Sequence, residues 1–407
     1  AGFCLGWSII LLLPTLVMPL NVLVNERRLY LVIAGAAWIG GDLLRRQRGR
    51  LILAAIPIFT LLTVARNDVW ADEVTLWRDA VTKAPAMYRS QTNFGKALQV
   101  AGEDKGALAA YERAMAIDSR HGDVYNNIAT LLHLQGNAEG AIEWYRLALD
   151  RYPDYEEIYQ NLADAYSDIG LLDSAAVLYA RAVQIDDRNG AIWANYGQTL
   201  YRSGNLMAAE KALRRSIEIL PTQGEAYNNL GNVYADRGEL EQALTYYQLA
   251  IDLGVARVGD VLSNMGDVYH DRGELERARE SYTRAVEENP SRPGHYQRLG
   301  AVEAALGYVG KAEEGLRHAL RLQPGYWKAH TVLAELLVDQ GRLEEAVVHF
   351  HAAVDGDSGY GRAWYGLART LDESGRHREA VTAFERFLQV WPHRDDRHAE
   401  VIERLSQ

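Results

Sequence analysis

Residues 227–250 read YNNLGNVYADRGELEQALTYYQLA, and the chain writes this stretch in outline nine times. Gly238 is followed five residues later by Ala243. The same pair recurs at 102/107, 136/141, 170/175, 204/209, 273/278, 307/312, 341/346 and 375/380. The step is 34 residues throughout, apart from a single step of 35 between Gly238 and Gly273. A fixed period of this length marks a solenoid of supersecondary units rather than two or three globular domains.

Within a unit the residue sizes recur as well as the glycine. Tyr227, Leu230 and Tyr234 fall at i, i+3 and i+7, one apolar stripe of a first helix, helix A. Gly238 then predicts a left-handed cap at its end. Ala243, Tyr247 and Ala250 place small and large residues on a second helix, helix B, so that the two approach closely. A second copy shows Tyr125, Ile128, Ala129, Leu132, Gly136, Ala141, Tyr145, Ala148 and Pro153 at the same places. Pro153, Pro221, Pro290, Pro324 and Pro392 are placed to stop helix B. These positions match the tetratricopeptide repeat (TPR) signature. The resemblance covers three quarters of the chain and implies an all-α, right-handed superhelix of nine repeats over 88–394.

The array extends at both ends. Stepping back one period puts Trp77, Ala80 and Pro85 at the helix-B places of Tyr111, Ala114 and Ser119, so 67–87 reads as a short linker and a half repeat. The amphipathic stretch Arg397–Leu405 reads as a C-terminal cap within 395–407. The single extra residue falls in Asp252–Gly259, where Gly254 suggests a longer turn.

The front of the chain is different. The net charge of −11 over 407 residues is an average of two unlike parts. Residues 1–70 hold seven Arg (27, 28, 45, 46, 48, 50, 66), no Lys and three acids (Glu26, Asp42, Asp68), a net +4 that leaves −15 for the rest. Three apolar stretches, about 1–24, 29–44 and 51–66, are expected to be membrane segments, two or three of them spanning. Asp42 ends the second stretch, where it can lie at the interface. Four Arg between the second and third stretches (Arg45, Arg46, Arg48, Arg50) outnumber Arg27 and Arg28 between the first and second. The positive-inside rule therefore puts the repeats on the extracytoplasmic side of an integral membrane protein. The chain opens at Ala1 inside an apolar stretch, which suggests a portion of a longer membrane protein.

Composition excludes several classes. One cysteine, Cys4, rules out an internal disulfide framework and multi-Cys zinc sites. The acidic repeats argue against a nucleic-acid partner, whose phosphates need clustered Lys and Arg. No phosphate-binding, dinucleotide-binding or metalloprotease motif occurs, and His349/His351 alone make no metal site. No catalytic residue, metal or cofactor is assigned to this portion.

The binding signal is polar. The sixth position of each repeat is Asn six times running: Asn93, Asn127, Asn161, Asn195, Asn229 and Asn264. It then becomes Arg298, Val332 and Gly366. A carboxamide offers one acceptor and two donors, so a ladder of them suits the backbone of an extended protein or peptide, held by several bonds together. The competing reading is that these Asn only bridge helices. Polar neighbours at Asn126, Gln160, Gln198, Asn228 and Asn232 favour the peptide. The acids Asp123, Asp164, Asp168, Asp236, Asp267 and Asp271 favour a neutral or basic partner.

Two further resemblances set expectations. The ladder resembles the asparagine-lined TPR groove of O-GlcNAc transferase, which implies substrates held by their backbone. At the front, Gly6-Trp7, Leu13-Pro14, Pro19-Leu20, Glu26-Arg27-Arg28-Leu29-Tyr30-Leu31, Arg66-Asn67 and Trp70 precede the array. This order resembles the last membrane segments of the transmembrane-and-TPR (TMTC-like) proteins, although Val32 stands where that family often has Pro. Those are multi-pass GT-C glycosyltransferases using a lipid-linked sugar donor. The resemblance implies that the full-length protein is a glycosyltransferase whose repeats recognise the acceptor, with this portion alone inactive. It also implies that Arg27 and Arg28 meet a lipid phosphate, although snorkelling anchors at the bilayer surface would look the same. The alternative is a non-catalytic, membrane-tethered scaffold for protein assembly. A co-chaperone clamp is disfavoured, because the fifth positions carry no Lys or Arg.

Overall fold

The computed structural model describes residues 72–391, 393 and 396–406. The three apolar stretches, with Arg27 and Arg28, lie outside the described residues, as does Pro392. Among the described residues no helix is long and apolar enough to cross a membrane.

The described residues form twenty α-helices and no strand, in two compact units divided between Asp187 and Arg188. The first unit holds α1 (Glu73–Lys83), α2 (Tyr88–Val100), α3 (Asp104–Ile117), α4 (Gly122–Leu134), α5 (Ala138–Leu149), α6 (Glu156–Asp168) and α7 (Leu172–Ile185). The second begins with α8 (Gly190–Arg202), α9 (Leu206–Ile219), α10 (Gly224–Asp236), α11 (Leu240–Asp252), α12 (Val258–Asp271) and α13 (Leu275–Glu288). It continues with α14 (Pro293–Ala305), α15 (Val309–Leu322), α16 (Trp327–Asp339), α17 (Leu343–Gly356), α18 (Gly361–Glu373), α19 (His377–Val390) and α20 (Asp396–Ser406). From α2 to α19 even-numbered helices are A helices and odd-numbered ones B helices.

Each A helix ends as the glycine period requires. Gly238 has φ 76°, its N–H donates to Ala235 O at 2.9 Å, and Glu239 N–H reaches back to Tyr234 O at 2.9 Å. This paired closure satisfies two of the helix's last carbonyls, and only a residue without Cβ enters it at no steric cost. Helices α5, α9, α13 and α15 all stop before Pro153, Pro221, Pro290 and Pro324 respectively.

Packing between A and B follows from size. Tyr111, Tyr145, Tyr179, Tyr247 and Phe350 are buried on B helices α3, α5, α7, α11 and α17, each at most 2% exposed. Opposite Tyr247 stands Gly231, where a Cβ would lie 2.6 Å from the ring. The glycine thus sets how near the two helices come. In the second unit a continuous core runs from Ala312 to Val401, and α20 seals its end. Val401 is fully buried there, while Tyr365 Oη donates to Glu400 (2.6 Å) and Arg404 to Asp372 (2.6 Å). Before the first repeat, α1 is capped by Asp72, which accepts from Thr75 N–H at 2.8 Å, and buries Ala80.

Candidate functional site

Each ladder asparagine lies in the second turn of an A helix: Asn93, Asn127 and Asn161 on α2, α4 and α6 of the first unit, Asn195, Asn229 and Asn264 on α8, α10 and α12 of the second. Asn127 and Asn229 are buried, 9% and 8% exposed, and the other four are half-buried. Two of the six bridge neighbouring repeats. Asn161 Nδ2 donates to Asn126 Oδ1 at 3.1 Å, and Asn264 Nδ2 to Asn232 Oδ1 at 3.0 Å. Helix bridging therefore accounts for two of the six.

The unmet groups are more telling. Among the described residues, the buried side-chain atoms without a hydrogen-bond partner are Gln91 Oε1, Asn127 Nδ2, Asn228 Oδ1, Ser263 Oγ and both ring nitrogens of His295. All five residues sit at the third to sixth positions of an A helix. A buried polar atom left unpaired costs about 1–3 kcal/mol, so folded chains rarely leave one without reason. In the second unit, Asn228 Oδ1 and Ser263 Oγ share one face.

In the second unit that face opens into a groove of about 420 Å³. Asn195, Asn229 and Asn264 all line it, together with Gln198, Asn228, Asn232 and Ser263. Arg257, Arg292, Arg298, Glu225 and Asp260 stand around them.

The acids do not play the part expected of them. Asp123 accepts from Tyr88, and Asp164 from Tyr179. Asp267 accepts from Tyr282 at 2.7 Å and from Arg298 at 3.0 Å, and Asp168 pairs with His133 at 2.8 Å. Asp236 holds the Tyr201 hydroxyl, which burial above all pushes up to about 12. Burial likewise raises the Asp164 carboxyl above its ordinary range. Five of the six acids thus have partners within the fold, while Asp271 stays exposed, 3.6 Å from His270. The sequence reading missed this because the tyrosine that engages the ninth-position group lies fifteen residues later, on helix B. Thr130 meets Tyr145 at 3.1 Å, and Asn232 accepts from Tyr247 at 2.8 Å. One visible signal is an exception: Leu213 replaces the tyrosine in the fourth repeat, and Gln198, with no hydroxyl to meet, stays exposed in the groove.

Packing also ends the ladder. Arg298 turns to Asp267, Val332 packs against the core, and at Gly366 a Cβ would lie 2.4 Å from the Phe350 ring. His349 meets His330 rather than its sequence neighbour His351, and the Nδ1 atoms of the two stand 2.9 Å apart. His330 Nε2 lies 2.8 Å from Pro324 O and donates to it, so its Nδ1 accepts and His349 donates. Burial first, then His330, lowers His349 to about 4.

Family models for the tetratricopeptide repeat match residues 92–156, 156–189, 188–254, 222–287, 263–326, 298–361 and 337–401. The chain belongs to the tetratricopeptide-repeat family. Proteins of this family generally bind peptides or proteins in a groove. Two solved TPR folds are similar to this one. The Cut9–Hcn1 hetero-tetramer of APC/C has a TM-score of 0.52 at 18% identity, covering 72% of this chain and 57% of that one. The human IFIT1 dimer with m7Gppp-AAAA also has a TM-score of 0.52, at 14% identity, covering 78% and 80%. Both are likenesses of fold. In sequence, 74 residues are 30% identical to protein O-mannosyl-transferase TMTC1 of Homo sapiens, and equally to that of Mus musculus. That stretch is 18% of this TPR chain and 8% of either relative.

Proposed function

We propose that the repeats hold an extended polypeptide by its backbone, on the extracytoplasmic side of a membrane, as the acceptor-recognition portion of a GT-C-type protein glycosyltransferase. The observation that carries the polypeptide reading is the gathering of unpartnered amide and hydroxyl atoms on A helices beside the ladder. A peptide backbone supplies both an N–H and a C=O per residue, so it can meet Asn127 Nδ2 and Asn228 Oδ1 alike. The partial TMTC1 match supports the enzyme class, and the Arg balance of the first 70 residues supports the orientation. In the full-length protein the bilayer and a lipid-linked sugar donor are further partners, with Arg27 and Arg28 beside the lipid phosphate.

Two measurements test this. A benzophenone side chain replacing Gln198, in the groove, should cross-link a blocked Ser/Ala/Gly peptide, while one replacing the exposed Arg277 on α13 should not. Equal labelling from both faces would remove the groove. In sealed vesicles with the cytoplasmic face outward, added trypsin should leave the repeats intact until detergent is present. Digestion without detergent would overturn the orientation.

A further inference from the structure

The one break in the 34-residue period builds part of the groove. Gly254 takes φ 74° and closes on Ile251 O at 2.9 Å, ending α11 one residue short of α9 and α13, and α12 carries the extra residue. Val255 then drops inward, 6% exposed, against Gly224, where a Cβ would lie 3.1 Å from it. Arg257 follows at the start of α12 and lines the groove. Arg292 and Arg298, at the start and in the second turn of α14, line it too.

Three guanidiniums stand in a lining that also holds Glu225 and Asp260. Asp260 lies 3.1 Å from Arg292 and 3.9 Å from Arg257, so two cations share it. Asp267 is 3.0 Å from Arg298. The Arg257 side chain is 75% exposed, with its contact at the limit of an ion pair. In the same lining, Ser263 is 2% exposed with Oγ unpartnered, and Asn228 Oδ1 is likewise unpartnered. A donor-rich arc, an unused hydroxyl and an unused carbonyl oxygen stand together.

We infer that this pocket takes an acidic side chain of the bound polypeptide. The carboxylate accepts from Arg257 and Arg292, with the Ser263 hydroxyl as a third donor. Asn228 Oδ1 accepts a backbone N–H of the same segment. A guanidinium fork matches a carboxylate in plane and spacing, whereas a Lys or Arg in that place would meet Arg257 and Arg292 as like charges. The inference rests on the polypeptide reading and adds a register to it: the amides read backbone, and this arc reads one side chain.

The test uses the whole chain and fluorescence anisotropy with peptides blocked at both ends. One carries a central Asp-Glu pair in a Ser/Ala/Gly background, and the other carries Asn-Gln. The acidic peptide should bind about tenfold more tightly, the order expected of charge-assisted hydrogen bonds. R257Q, at an exposed turn residue, should bring the acidic peptide to the neutral one's affinity. N229A should weaken both alike. Equal binding of the two peptides by the native chain overturns the acidic pocket while leaving the groove. So does a preference that survives R257Q, or one shown only by peptides with a free C-terminal carboxylate. Binding of neither peptide removes the groove reading as well.

Discussion

Replacing Asn195, Asn229 and Asn264 together by Ala is expected to weaken extended-peptide binding about a hundredfold, with little change in fold. The size follows from counting. Each carboxamide bond to a peptide backbone nets about 1 kcal/mol, and three lost together come to roughly two decades in Kd. The fold should survive because the ladder is largely outside the apolar core. Of the three, only Asn264 gives up an identified bond, 3.0 Å to Asn232, and Asn232 keeps its tyrosine at 2.8 Å. One such bond lowers the melting temperature by about 2–4 °C for a unit of this size. Anisotropy with a neutral blocked peptide reads the affinity, and circular dichroism reads the melt. Unchanged affinity in a variant that still melts cooperatively would leave the ladder as helix bridging alone. Asn127→Ala, in the first unit, is a separate test. There Asn127 is buried with Nδ2 unpartnered, so its truncation should stabilise slightly while costing affinity. That opposition of signs is the mark of a group kept for binding.

How much of this could be read from residues alone depends on the distance over which each feature is encoded. The Gly caps, the Pro stops and the helix pairs were legible, because each follows from backbone geometry within one 34-residue unit. So was the site of the extra residue at Asp252–Gly259, since a broken period is visible as arithmetic. What the extra residue does was not: Arg257 reaches the groove only because Val255 finds a space at Gly224, one helix pair away. The acids at the ninth position misled for the same reason. Asp164 and Asp267 look like groove charges on a single helix, and become partners of Tyr179 and Tyr282 once helix B folds over them. His349 likewise reads as half of an i,i+2 pair until α16 brings His330 to it. The ladder's end was visible as a change of letters, but its cause was not, because Gly366 answers to Phe350 in the preceding repeat.

That last contact carries the largest expected effect on stability. Phe350→Ala should cost about 4 kcal/mol, since the ring is 1% exposed within the core that runs from Ala312 to Val401. In a stack of repeats, each unit is held chiefly by its neighbours, so the loss should be local. Amide exchange should quicken in α16, α17 and α18 while α8 to α11 keep their protection. A uniform loss across all these helices would show that the second unit unfolds as one block. Gly366 supplies a sharper check. In the native chain, Gly366→Ala places a Cβ 2.4 Å from the Phe350 ring and should destabilise by about 1–3 kcal/mol. In the Phe350→Ala background that obstruction is gone. The same methyl then enters the hollow left by the ring, and Ala is favoured over Gly inside a helix by about 1 kcal/mol. The substitution should therefore change sign, from destabilising to stabilising. Two costs that merely add would show that Gly366 is fixed by something other than the ring it faces.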